Sequence, residues 1–196
     1  AERDRCLDAL TTNETLFYRH PAHYRWLAAN RHAFGARPRI WSAACATGEE
    51  PYTLAIECRR LGLDAADILA TDVNATVLAA AQAARYRAYA MQKVAPEILE
   101  RWFTRTGDGA WQPVADVRAL VRFRRHNLLQ APPMPVACDL VLLRNVLIYF
   151  DPASHARVLD HVHRALRPGG LLIVGGSEHL DDARFEFAAP SIYRRG

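Results

Sequence analysis

The 196-residue sequence predicts an α/β domain: an open, mostly parallel sheet closed by a C-terminal antiparallel hairpin and interrupted by a small β insertion. Three observations predict it. Short apolar runs alternate with helical segments of about ten to fifteen residues, which is the pattern of βαβ units. The run Cys138–Leu143 is apolar almost without a break, as strands covered on both faces are. The tail carries two short strand-like segments around Pro190.

Taken in order, residues 12–34, with apolar Phe17, Trp26 and Leu27, read as helical. The first strand is Arg39–Cys45. A helix over Glu49–Cys58 follows, with Pro51 in the first turn, where its missing N–H costs nothing. Gly62 stops it. The second strand is Asp67–Thr71, after which Asn74 caps an alanine-rich helix running to Arg85. Lys93–Leu129 breaks the rhythm. Thr106-Gly-Asp-Gly109 is a turn and Asp116–Arg124 alternates like a strand, so the stretch reads as an inserted β-subdomain over about 104–125. Cys138–Leu143 is the third parallel strand. Asp151-Pro152 opens a helix that runs to Leu166 and breaks at Pro168-Gly-Gly170, and Leu171–Val174 is a fourth strand. Phe185–Phe187 and Ile192–Arg194 form the closing hairpin.

Composition narrows the function classes. At 51% hydrophobic residues the chain can bury a sizeable core and is not disordered. Apolar runs such as Leu171–Gly176 fall far short of the ~20 residues that cross a bilayer. The charged start, AERDRCLDAL, is no signal peptide. Cys6, Cys45, Cys58 and Cys138 are scattered, without C-x-x-C or zinc spacing; this fits a cytoplasmic chain with neither a disulfide framework nor a metal site. The net charge of +4 permits nucleic-acid binding without arguing for it. Arg118, Arg122, Arg124 and Arg125, interleaved with Val121 and Phe123, suit a solvated strand face better than an RNA surface.

The chemistry-bearing residues fall after the strands. In the first turn, Ser42, Ala44, Ala46 and Gly48 occupy the positions of an acidic-x-G-x-G-x-G cofactor loop, where small residues let a ligand approach the backbone. A tight packing turn is the competing reading. Asp72 ends the second strand, 24 residues beyond Gly48, where an acidic side chain grips ribose hydroxyls. Dinucleotides and S-adenosylmethionine are both bound this way. Glu49 and Glu50 at the helix start would repel a pyrophosphate, which favours S-adenosylmethionine. Thr15 and Arg19 stand at i and i+4, and Arg19 suits a carboxylate partner. Asn127, Arg144 and Asn145 reach the same strand-end crevice, while Tyr149 is either a site residue or core. The histidines form no metal site, His161 and His163 lying on different helix faces. Cys45 reads as a packing residue rather than a nucleophile.

Five blocks occur in order: Asn13-x-Thr15-x-Phe17-Tyr18-Arg19, Trp41-Ser-Ala-Ala-Cys-Ala-Thr-Gly-Glu-Glu-Pro-Tyr52, Thr71-Asp72, Asn127-Leu128 and Arg144-Asn145-Val-Leu-Ile-Tyr-Phe150. With Gly175-Gly-Ser-Glu178, they make the chain resemble the catalytic domain of the chemotaxis receptor glutamate methyltransferases from Thr12 nearly to its end. The resemblance implies a Rossmann-like methyltransferase sheet, S-adenosylmethionine as cofactor, and methyl-ester formation on glutamates of a receptor's cytoplasmic domain. It implies cofactor contacts at Asn13, Thr15, Arg19, Ala44, Glu50, Asp72, Asn127, Leu128, Arg144 and Asn145, with Arg19 and Tyr149 nearest the transferred methyl. Residues 1–196 then form one catalytic domain, and the family's helical N-terminal domain is largely absent from them. Tyr18 stands where the family more often has Phe. The short Thr106–Gly109 turn, in place of a longer glycine loop, argues against docking of a tethered receptor tail by strand addition. A regulatory module that binds the cofactor without catalysis, and a small-molecule or RNA methyltransferase, are the alternatives.

Overall fold

The computed structural model describes residues 15–134 and 137–196. Nine strands are present among them: β1 (Arg39–Ala43), β2 (Asp67–Asp72), β3 (Phe103–Arg105), β4 (Trp111–Pro113), β5 (Val121–Arg125), β6 (Cys138–Leu143), β7 (Leu166–Val174), β8 (Phe185–Ala189) and β9 (Ile192–Arg195). Seven form one sheet in the order β5-β2-β1-β6-β7-β9-β8, and β3 and β4 pair separately. The first five strands of that order run parallel; β9 and β8 close the sheet antiparallel.

The strands are apolar on both faces because both faces are covered. Ile40, Ile68, Leu140, Leu142, Leu171 and Ile173 join one core with the helix α2 (Glu49–Arg60). Their sequence neighbours Trp41, Leu69, Val141, Leu143, Leu172 and Val174 join a second core with the helix α6 (Pro152–Ala165). This is the period-two alternation of a strand read from both sides. The remaining helices are α1 (Pro21–Ala29), α3 (Ala75–Ala83), α4 (Pro96–Trp102) and α5 (Ala115–Arg118). The expected caps form: Asn74 Oδ1 accepts the N–H groups of Thr76 and Val77 at 2.8 and 3.0 Å, and Asp151 Oδ1 those of Ala153 and Ser154, both at 3.0 Å.

Three expectations change. The helix expected over 12–34 is confined to α1 and a short 3-10 turn at Arg31–Ala33, with residues 12–14 outside the described range. Tyr18 and His20 adopt left-handed backbone (φ 56° and 58°), which no helix continues through, and Pro21 then opens α1. The strand expected at Asp116–Arg124 splits into α5 and β5, and β5 belongs to the parallel sheet, with Ile68 opposite Val121. Val121 and Phe123 face the core while Arg122 and Arg124 face solvent, so an edge strand of the main sheet alternates as an isolated hairpin would. The insertion is thus the β3–β4 hairpin, tied to the body by a bridge between Tyr86 and Trp111. Finally, Pro168-Gly-Gly170 does not separate α6 from a later strand. β7 starts at Leu166, and the extra residues are absorbed by a register shift, from Cys138 opposite Leu166 to Leu140 opposite Leu171.

Leu142, fully buried on a strand paired on both sides, tests the core. Leu142→Ala should destabilise by about 2–5 kcal/mol in urea unfolding; a loss below ~1 kcal/mol would contradict its placement.

Candidate functional site

The parallel register lines up the functional edge. Ala43 stands opposite Thr71 on one side and Leu143 on the other, and Leu143 stands opposite Val174. The next residue on each strand, Ala44, Arg144, Gly175 and Asp72 (the last residue of β2), therefore lies along one row at the carboxyl end of the sheet. Strand order reverses between β1 and β6, where open α/β sheets form their ligand crevice.

The turn after β1 is built from three left-handed positions, Ala44 (φ 61°), Ala46 (φ 46°) and Gly48 (φ 94°). These are the alternate positions matched to a cofactor loop, so the backbone keeps the shape although two glycines are replaced by alanine. Gly48 has a second constraint: a Cβ there would stand 2.9 Å from Ala81 Cβ and 3.0 Å from the Tyr86 hydroxyl. Asp72 is buried and ties the row together, accepting from the Ala46 N–H through Oδ2 and the Asn74 N–H through Oδ1, both at 3.0 Å. It is not the helix cap, which is Asn74.

Arg144 is the hub of the crevice. Its side chain is 3% exposed. Nη1 donates to Glu50 Oε2 at 2.9 Å and to the Tyr24 hydroxyl at 3.3 Å, and Nη2 donates to the Arg19 carbonyl at 2.6 Å. Burial opposes the Arg144 charge most strongly, yet Tyr24 and Glu50 together hold its pKa above the ordinary arginine value. Glu50 Oε1 accepts from Ser42 Oγ at 2.7 Å, so both carboxylate oxygens are engaged. The Tyr18–His20 turn is pinned from the other side: the Tyr18 N–H donates to Thr53 Oγ1 at 3.2 Å and its hydroxyl to Glu57 Oε1 at 2.8 Å. Burial and the Glu57 charge hold that phenol protonated. Tyr18 is therefore a working polar contact and more than a substitute for Phe.

The two glutamates at the α2 start behave differently. Glu49 is 4% exposed and accepts from Thr47 Oγ1 at 2.7 Å; burial pushes its pKa up to about 7. With Glu49 turned inward and Glu50 paired to Arg144, neither is an open charge at the helix start, and the electrostatic argument against a pyrophosphate loses force.

Asn145 follows Arg144 in left-handed backbone (φ 57°), and its N–H donates to Glu178 Oε2 at 2.8 Å. Tyr149 ends a 3-10 turn (Leu147–Tyr149) and is 56% exposed, which removes the core alternative for it. Asn127 is exposed and its Oδ1 accepts the Leu129 N–H at 3.0 Å, while Leu128 is buried with its carbonyl 3.1 Å from His161 Nδ1. Thr15 is partly buried in non-helical chain, so the i, i+4 pairing with Arg19 does not hold; Asn13 lies outside the described residues. Cys45 is buried, and burial lifts its thiol far above the usual range, so it packs rather than reacts. Tyr24, Ser42 and Glu178 carry contacts beyond those the sequence assigned to site residues; Ser42 left a trace in the cofactor-loop pattern and Glu178 in the Gly-x-Ser-Glu block, whereas Tyr24 left none. Among the described residues, no group of three or more His, Cys, Asp or Glu gathers as a metal site.

The arrangement fits S-adenosylmethionine. Asp72, at the end of β2, presents a carboxylate of the kind that grips a ribose hydroxyl pair. Among the described residues, Arg144 Nε is buried without a hydrogen-bond partner, a donor suited to a carboxylate.

Comparison with known proteins agrees. Residues 13–193 match the family model described as CheR methyltransferase, SAM binding domain. Chemotaxis protein methyltransferase 1 of Pseudomonas aeruginosa is 39% identical over 92% of this chain and 71% of its own length. Chemotaxis protein methyltransferase Cher2 of Pseudomonas putida is 36% identical over 91% of this chain and 70% of its own. In fold, the chain is similar to PKMT2 from Rickettsia typhi in complex with AdoHcy (TM-score 0.52, 14% identity, 82% of this chain and 26% of that one). It is also similar to the glycopeptide N-methyltransferase MtfA complexed with S-adenosyl-L-homocysteine (TM-score 0.50, 17% identity, 78% and 47%).

Glu49 supplies a pH test. Its folded pKa, about 7, lies above the ordinary carboxylate value of 4.5, so the folded state holds the proton more tightly. The resulting stability is complete below pH 4.5 and is lost as pH rises to about 7. Glu49→Gln should abolish that dependence: relative to the variant, the wild type should lose roughly 3 kcal/mol between pH 4.5 and 8 in urea unfolding. An unchanged difference between the two proteins across that range would contradict the assignment.

Proposed function

The chain belongs to the CheR methyltransferases, which use S-adenosylmethionine, and we propose that it methylates glutamate side-chain carboxylates of a chemoreceptor-type protein, giving methyl esters. The observation that carries this reading is the Arg144 hub, which joins the turn bearing Arg19 to Glu50 at the cofactor edge of the sheet. The donor-side and acceptor-side residues of a methyl transfer are thereby held as one unit. Asp72 and the Ala44–Gly48 turn take the nucleoside end, and Arg144 and Asn145 the amino-acid end. When bound, the cofactor supplies an electrophilic methyl group.

The acceptor needs no general base. A glutamate carboxylate, with a pKa of about 4.3, is already ionised near neutral pH and is itself the nucleophile. The protein's task is alignment and restriction of water. Arg19 pairs with the acceptor carboxylate, and the Tyr149 hydroxyl, exposed at the strand-end rim, orients it. Such a reaction asks for neither an activated thiol nor a metal. The partner is the cytoplasmic domain of a methyl-accepting receptor, approached without membrane insertion; no helix among the described residues is long and apolar enough to cross a membrane.

Labelled methyl transfer to receptor-containing membranes tests the reaction. Label released as methanol at high pH is expected of an ester, whereas base-stable label would refute the glutamate assignment. Arg19→Ala should lower turnover about a hundredfold with the circular dichroism spectrum unchanged; full activity in that variant would overturn its role.

A further inference from the structure

We propose that Glu178 is a positioning residue for methyl transfer, its carboxylate setting the pose of Asn145 and of the turn that presents Tyr149. The proposal rests on the reading of Tyr149 given above. From Leu140 opposite Leu171, β6 and β7 stay in register up to Leu143 opposite Val174, and there the ladder ends. Three N–H groups just beyond it converge on one side chain. Glu178 Oε2 accepts from Gly175 at 2.7 Å and Asn145 at 2.8 Å, and Oε1 accepts from Leu147 at 2.9 Å. Glu178 itself is 8% exposed. An ionised acceptor makes such bonds shorter and about twice as strong as a neutral one.

The clasp explains two features of the edge. Asn145 holds a left-handed backbone without being glycine, a conformation that persists only where its surroundings over-determine it. Gly175 is glycine because the three groups crowd it: a Cβ there would stand 2.7 Å from Glu178 Oε2, 2.8 Å from Asn145 Nδ2 and 2.9 Å from the Asn145 N. The same turn also meets the acceptor side, since a Cβ on Gly176 would lie 3.2 Å from His20 Cε1, next to Arg19. Leu147 opens the 3-10 turn whose last residue is Tyr149, so the Leu147 N–H bond fixes where that turn starts. One carboxylate thus sets Asn145 on the cofactor side and Tyr149 on the acceptor side.

Glutamine has one carbonyl oxygen, so it cannot accept on both sides, and its NH2 would meet at least one of the three N–H groups. In folded Glu178→Gln, S-adenosylhomocysteine affinity by calorimetry should fall about tenfold through Asn145. Methyl transfer at saturating cofactor and acceptor should fall a further ~30-fold through Tyr149. A purely structural role would lower the melting temperature and leave kcat per folded molecule unchanged. The decisive comparison is with Tyr149→Phe: adding Glu178→Gln to it should cost less than about twofold in kcat, because both act on the same contact. Should Glu178→Gln not fold, Glu178→Asp, which keeps the charge but is shorter by one methylene, takes its place with the same expectations. Wild-type-like kcat in a folded variant, or losses that multiply in the double variant, would overturn the proposal. Failure of the wild type to methylate glutamate would instead refute the proposed reaction, and the affinity measurement would still test the clasp.

Discussion

The Arg144 side chain, 3% exposed, carries its charge out of water's reach, and a buried ion left unpaired costs several kcal/mol. The protein meets that cost by wrapping the guanidinium in Glu50, the Tyr24 hydroxyl and the Arg19 carbonyl. Each partner comes from a different part of the chain: the start of α2, the middle of α1 and the turn before α1. None of them can drift without exposing or orphaning the charge. The site edge is therefore rigid for an electrostatic reason, and the hydrophobic cores beneath it supply the frame rather than the aim.

Register turns this local constraint into a site. Because Ala43, Thr71, Leu143 and Val174 stand in one row, the residues that follow them emerge side by side. The backbone there turns left-handed repeatedly: Ala44, Ala46 and Gly48 after β1, Asn145 after β6, and Tyr18 and His20 in the turn that Arg144 grips. Non-glycine residues in that region are uncommon and mark places where surrounding contacts decide the backbone. Here those contacts are Asp72 on the Ala46 N–H, Glu178 on the Asn145 N–H, and Thr53 on the Tyr18 N–H. Three side chains hold three left-handed turns around one crevice.

Much of the fold was legible because its signals are local. Strands buried on both faces are apolar throughout, as Cys138–Leu143 is, and the caps at Asn74 and Asp151 announce their helices. By sequence β5 reads as part of the insertion, because an edge strand and an isolated hairpin share a period of two, and pairing is not written in alternation. The Tyr18–His20 turn reads as helix by sequence, because Tyr and His carry no mark of positive φ, as glycine would. At the site, residue types and order pointed to Asp72, Glu50 and Arg144. What each does with its oxygens or nitrogens depends on groups up to 125 positions away, such as Arg144 Nη2 on the Arg19 carbonyl. The opposite fates of Glu49, buried with its pKa pushed up to about 7, and Glu50, ion-paired, have no signature in two adjacent identical letters.

The claim that the Arg144–Glu50 pair organises the site is tested most directly by a double-mutant cycle on S-adenosylhomocysteine affinity in folded protein. Arg144→Met and Glu50→Gln should each weaken binding at least about tenfold, and the double variant should bind no worse than about twofold below the weaker single one, since either change already breaks the unit. Losses that multiply in the double variant would mean that the two residues act independently, and would contradict the account.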